Sequence, residues 1–200
     1  MPHRTFDSLP FVPLAIVFEC GLGFLGLALA RWWDLSIHER LVVNLEVLAW
    51  GLAATLPPLC LLAWLMRTTW QPMVELRRLV QRYVGEPLRD APWAALLLLA
   101  VAAGVGEEIL FRGALQPWVA AGLGVTSGLV VASLVFGLLH AASPTYFVLA
   151  TLAGGYFGWL AEVHDLVVPI VAHALYDFVA LMVLKESTPK QPHTHSPEIE

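Results

Sequence analysis

Long apolar runs separated by short polar segments dominate the chain. A helix needs about 20 predominantly apolar residues to cross a bilayer, and candidate spans can be read at 11–30, 42–66, 93–110, 122–140, 146–160 and 167–184. The pattern predicts an all-α, polytopic transmembrane helix bundle of about six spans, several of them carrying a polar interruption. The first run is long enough to span, residues 1–10 hold only Arg4 as a basic residue, and no small-residue cleavage site follows. A retained helix is therefore expected there instead of a cleaved signal peptide.

The segment 67–90, "RTTWQPMVELRRLVQRYVGEPLRD", breaks this pattern. It carries Arg67, Arg77, Arg78, Arg82 and Arg89, with Met73, Leu76, Leu79, Val80 and Val84 at helical spacing. This predicts an amphipathic interfacial helix. Short loops rich in Lys and Arg remain cytoplasmic, so the segment is placed inside, and an even number of spans on either side puts both termini inside. Arg4, Lys185 and Lys190 agree with that orientation. The residues after 185, "ESTPKQPHTHSPEIE", are too polar and proline-rich to build a core. The expected organisation is thus an N-terminal transmembrane hairpin (1–66), a basic cytoplasmic segment (67–91), a transmembrane core (92–185) and a disordered tail (186–200), in which His193 and His195 are solvated.

Composition strengthens the membrane reading. Of the 200 residues, 58% are hydrophobic and the mean hydropathy is +0.71, against about 45–50% apolar residues in soluble domains. The net charge of −5 lies mostly in the connecting segments, and no basic stripe for nucleic acid is present. Cys20 and Cys60 fall in separate spans and are read as packing residues. Gly154, Gly155 and Gly158 in "LAGGYFGWL" predict close helix approach.

Ionisable residues inside apolar runs cost about 2.5–3.5 kcal/mol each on insertion scales and face the bundle interior or a wet cavity. Here they are Glu19, Glu46, Glu107, Glu108, Arg112, His140, His173 and Asp177. Glu108 and Arg112 are four apart and share a helical face. Glu107, rotated by about 100°, is left without that partner and is the carboxylate available to take a proton from water. Phe136 precedes His140 by four residues and packs against it. Asp177 follows His173 by four and can accept from its ring, fixing the tautomer. Glu19 and Glu46 have no partner at helical spacing; pinning helices, lining a cavity and lying near an interface all stay open for them.

In this order, "EEILFR" at 107–112, "FGLLH" at 136–140 and "HALYD" at 173–177 resemble the EExxxR, FxxxH and HxxxN/D signature of the CAAX protease and bacteriocin-processing (CPBP, or Abi) family of intramembrane proteases. The resemblance extends over 92–184 and makes the core CPBP-like. It implies an intramembrane endopeptidase in a bacterial cytoplasmic (inner) membrane, acting on a membrane-associated protein or peptide without a cofactor. Glu107 would activate a water with help from His140. Glu108 and Arg112 would hold the site, and His173 with Asp177 would polarise the scissile carbonyl. Members that process prenylated proteins usually have Asn where this chain has Asp177. An aspartate donates only when protonated, so Asp177 is expected to orient His173 and leave the histidine as donor.

Two other readings stay open on the residues. Glu107, His140 and His173 match a His/His/Glu zinc ligand set with an open fourth position, although the two-ligand HExxH helix is absent. The same groups could serve as relay residues of a transporter, or persist in a non-catalytic immunity protein. The arithmetic of depth adds a constraint. At about 1.5 Å per residue, Glu107 and His173 both fall about 20 Å from the inner face of a core about 30 Å thick, whereas His140 falls much nearer the cytoplasm. An interfacial course for 113–126, delaying the next span, is the expected remedy.

Overall fold

The structure, a computed structural model, describes residues 11–188. Arg4, Lys190, His193, His195 and most of the expected tail lie outside the described residues. The rest consists of helices and their connections. They are α1 (Phe11–Trp32), α2 (Leu45–Ala54), α3 (Leu56–Arg67), α4 (Gln71–Val80), α5 (Glu86–Leu88), α6 (Trp93–Glu108), α7 (Gln116–Leu123), α8 (Val125–Leu139), α9 (Pro144–Val163) and α10 (Val167–Ser187). A 3-10 turn, Ile37–Arg40, lies between α1 and α2. The protein is an all-α polytopic bundle. Among the described residues five helices are long and apolar enough to cross a membrane, α2 and α3 counting as one and α6 to α7 as another; α8, with 15 residues, is a sixth and shorter apolar helix.

Local chemistry explains the breaks. Pro57 and Pro58 sit in the first turn of α3, where a missing N–H is tolerated but the preceding helix cannot continue undisturbed. Thr55 bridges the joint by donating its hydroxyl to the Gly51 carbonyl at 2.9 Å. The basic segment forms α4, π-helical turns over Gln81–Gly85, and α5. Met73 and Leu76 are its buried anchors. Arg77 folds back to cap α3, donating to the carbonyls of Leu65 (2.9 Å) and Met66 (2.6 Å).

The first two spans, expected as a hairpin, pack chiefly on other partners. Helix α1 lies along α6, and α2 lies along α10, while α6 and α10 lie against each other. Small residues decide this arrangement. A Cβ at Gly106 of α6 would run into the Glu19 carbonyl of α1, and one at Gly26 of α1 would meet the Leu110 backbone at 2.7 Å. Backbone-to-backbone approach of this kind is how apolar helices associate where lipid removes any hydrophobic drive. The α8–α9 pair is closed in the same way, with Gly137 facing Thr151 and Gly158 facing Leu129. The expectation for the "LAGGYFGWL" glycines holds.

The depth mismatch is resolved differently from the expected interfacial course of 113–126. Helix α6 does not stop after its second carboxylate; it continues through π-helical turns (Ile109–Leu115) into α7, one rod from Trp93 to Leu123 of 31 residues. It ends at Gly124, whose φ of 88° is left-handed and suits a glycine C-terminus. Glu107 to Leu123 is about 24 Å of rise and Val125 to His140 about 22 Å on the return, at 1.5 Å per residue. Going out and coming back nearly cancel, so His140 arrives at the level of Glu107.

Candidate active site

The six candidate site residues are drawn together by α6, the π turns that follow it, the C-terminal cap of α8, and α10. Glu107 and Glu108 close α6, and both are buried. Arg112 follows in the π turns and is fully buried. Turns of π type widen a helix locally and recur at functional sites. His140 ends α8, while His173 and Asp177 lie one turn apart on α10.

The two carboxylates do different things. Glu108 Oε1 accepts from Arg112 Nη1 at 2.9 Å and from His173 Nδ1 at 2.8 Å. Arg112 Nη2 donates to the Gly154 carbonyl of α9 at 2.9 Å, tying α9 to the site. Its guanidinium carbon lies 4.7 Å from the centre of the Phe136 ring, a cation–π arrangement strengthened by burial. Glu107 makes neither bond. Its Oε1 lies 3.9 Å from His140 Nε2, and its Oε2 lies 3.8 Å from His173 Nε2. These separations exceed a direct hydrogen bond and are of the size that a bridging water spans.

The imidazoles are oriented by their other nitrogens. His140 Nδ1 lies 2.9 Å from the Phe136 carbonyl, which only accepts, so Nδ1 carries a proton and Nε2 is the nitrogen that faces Glu107. The Phe136 ring stacks on His140 with centroids 4.5 Å apart, as the spacing of four predicts. For His173 the structure corrects the expectation. Its Nδ1–H is held by Glu108, and Asp177 Oδ2 lies 3.5 Å from Nε2. The tautomer is thus set from α6 across the bundle. Asp177 stands beside the outward nitrogen instead.

Several contributors carried no signal of charge in an apolar run. Phe157 of α9 stacks on His173 with centroids 4.7 Å apart and planes 11° apart. Phe111 meets Phe136 edge-on at 5.1 Å, and Tyr146 meets His140 edge-on at 5.7 Å. Gln116, buried beneath the site, donates to the Gly158 carbonyl at 3.1 Å and to Glu162 at 2.6 Å. Glu19, left open by the sequence, lies beside this region: its backbone carbonyl faces Gly106, the residue before Glu107, and its Oε2 is buried. Glu46 is elsewhere. With Asn44, Trp50, Glu162, His164 and Asp165 it lines a cavity of about 350 Å³ that none of the motif residues borders.

Among the described residues, no three His, Cys, Asp or Glu side chains form a group arranged to hold a metal ion. Glu107, His140 and His173 lie near one another, but Glu107 faces each imidazole at 3.8–3.9 Å.

The site therefore comprises a buried carboxylate facing two oriented imidazoles, over a second carboxylate neutralised by arginine. Compared with known sequences, residues 89–179 match the family described as type II CAAX prenyl endopeptidase, Rce1-like. No curated protein and no solved structure matches the chain. The matched segment contains all three motifs and every residue of the cluster, and it stops short of α1, α2 and α3. Over residues 89–179, then, the chain is similar to the Rce1-like type II CAAX prenyl endopeptidases, the kinship to which its three motifs had pointed.

Proposed function

We propose that the protein is a glutamate-type intramembrane endopeptidase, hydrolysing a peptide bond of a membrane-associated protein or peptide. The observation that carries this reading is the placement of Glu107 between the Nε2 atoms of His140 and His173, at 3.9 and 3.8 Å. A water held between Glu107 Oε1 and His140 Nε2 gives up its proton to Glu107 as it adds to the scissile carbonyl. His140 accepts the water's second hydrogen through its lone pair and aims the attacking oxygen. The developing oxyanion is met by His173, which in its imidazolium form donates from Nε2 while Nδ1–H stays on Glu108. Glu107 then passes its proton to the leaving amine as the C–N bond breaks. Water is consumed, and a carboxylic acid, still carrying the water's second hydrogen, and an amine are released.

The reaction needs no bound cofactor in this scheme. We place the basic α4–α5 segment on the cytoplasmic face of a bacterial inner membrane, with both termini on that side, from its arginines. His140 and Asp177 are the partly exposed members of the cluster, each with about 27% of the side chain accessible. A polypeptide meets the site from their side.

The test is cleavage of a membrane-peptide library by purified protein, comparing Glu107→Gln with the unaltered chain. Gln keeps the shape but accepts no proton, so turnover is expected to vanish while the thermal midpoint in detergent is retained. Near-normal turnover by Glu107→Gln would remove this residue from the role of base.

A further inference from the structure

The π-helical turns that carry Arg112 create a backbone problem. In an α-helix the N–H of Gln116 would serve the Arg112 carbonyl, but here it bonds Phe111 instead. The next residue is Pro117, which has no N–H to offer. A buried carbonyl without a donor is destabilising, and the simplest local remedy would be a return to α-helical register. That return would rotate everything beyond Phe111 relative to Glu107 and Glu108.

The missing donor comes from a distant segment. Arg40, in the 3-10 turn between α1 and α2, donates from Nη1 to the Arg112 carbonyl at 2.9 Å. Its Nη2 donates to the Ala161 carbonyl at 2.7 Å. Ala161 lies in the last turn of α9, where helical carbonyls lack backbone partners and a cation is favoured by the helix dipole. Arg40 is itself fixed by its own carbonyl, which accepts from Leu166 N–H at 2.9 Å. Ile37 of the same turn is buried against Ile109, Ala114 and Leu166. Arg112 and Arg40 therefore join the site rod to α9 at two levels, through Gly154 and through Ala161.

We propose that Arg40 is a positioning residue that locks the π register of the site helix. Through the Arg112 backbone it sets the guanidinium that holds Glu108, and through Glu108 the imidazole of His173. It lies outside the Rce1-like segment, so this chain completes its site with a side chain from its N-terminal part. The proposal rests on the protease reading for its effect on turnover, but not for its effect on the helix.

Both effects are measured on the full chain in nanodiscs, with Arg40→Ala and Arg40→Lys. Lysine can serve one carbonyl at a time, so turnover should fall in the order Arg, Lys, Ala. Displacement of positioned groups lowers kcat by about tenfold or more for Ala, with KM changed by less than about twofold. Amide hydrogen exchange should rise over residues 109–118 in both variants and stay unchanged in α3 and α4. An Arg40→Ala or Arg40→Lys protein with unaltered kcat and unaltered exchange in 109–118 overturns the proposal. So does a loss of activity accompanied by a uniform rise in exchange across all helices, which would make Arg40 a general stabiliser. If Arg40→Ala does not fold, Arg40→Lys alone decides by the same two readouts. If the unaltered chain cleaves nothing, the protease reading fails while the exchange data still decide on Arg40.

Discussion

Glu107 and Glu108 show how adjacent residues of one type acquire different partners. Both are carboxylates at the end of an apolar helix, and only the 100° turn per residue separates them. That rotation delivers Glu108 to Arg112 and His173 Nδ1, and it delivers Glu107 to the two Nε2 atoms. Arg112 is the residue on which the arrangement depends most, because it is wholly buried, pairs with Glu108 and ties α9 through Gly154. Arg112→Ala should destabilise by about 3–5 kcal/mol, since it strands a buried carboxylate, and should abolish cleavage. Equal thermal midpoints for this variant and the unaltered protein in detergent would show Arg112 to be wet. Spacing alone made the Glu108–Arg112 pair visible. The bond between Glu108 and His173, 65 positions apart, left no trace in the sequence, because a hydrogen bond between distant spans has no periodicity.

At the scale of elements, glycines decide which helices touch. Helix α1 has no motif, yet it lies along the site helix because Gly23, Gly26 and Gly106 let the backbones meet. Gly106→Ala should push α1 away from α6, since its Cβ faces the Glu19 backbone carbonyl and not a side chain that can swing aside. Overpacking of this kind is destabilising by about 1–3 kcal/mol. Gly122→Ala, in α7, meets nothing within 4 Å and should be neutral or slightly stabilising, as alanine is the better helix former. Thermal melts of the two variants in one detergent check the contrast; equal midpoints would mean that α1 is not seated against Gly106. The span count was legible to within one short helix. What hydropathy could not show was that the third run continues past Glu108: the polar EE and R residues look like the end of a span, but burial inside the bundle lets the helix carry them onward.

For the whole molecule, the open chemical question is whether water is activated by glutamate alone. If it is, cleavage should survive prolonged dialysis against EDTA or phenanthroline, and elemental analysis of active protein should find far less than one zinc per chain. A zinc site of Glu107, His140 and His173 would instead lose activity with its metal and regain it on adding the ion. Stoichiometric zinc with chelator-sensitive, zinc-restored turnover would recast Glu107 as a ligand. The bundle would then serve to hold ligands from three helices, not to orient a base.

Taken by itself, the amino-acid sequence determined what can be read at short range. Apolar runs set the helices, because a bilayer admits little else, and spacings of four paired Glu108 with Arg112 and Phe136 with His140. The three motifs together also pointed to the family that residues 89–179 match. Tertiary structure alone decided the rest: that His140 and Glu107 share one level, that Glu108 and not Asp177 holds Nδ1 of His173, and that Arg40 serves a carbonyl which the π turns and Pro117 leave without a donor. These depend on how far a helix runs before it turns and on which backbones can approach closely. Both are set by packing among distant segments, where periodicity within any one of them carries no information.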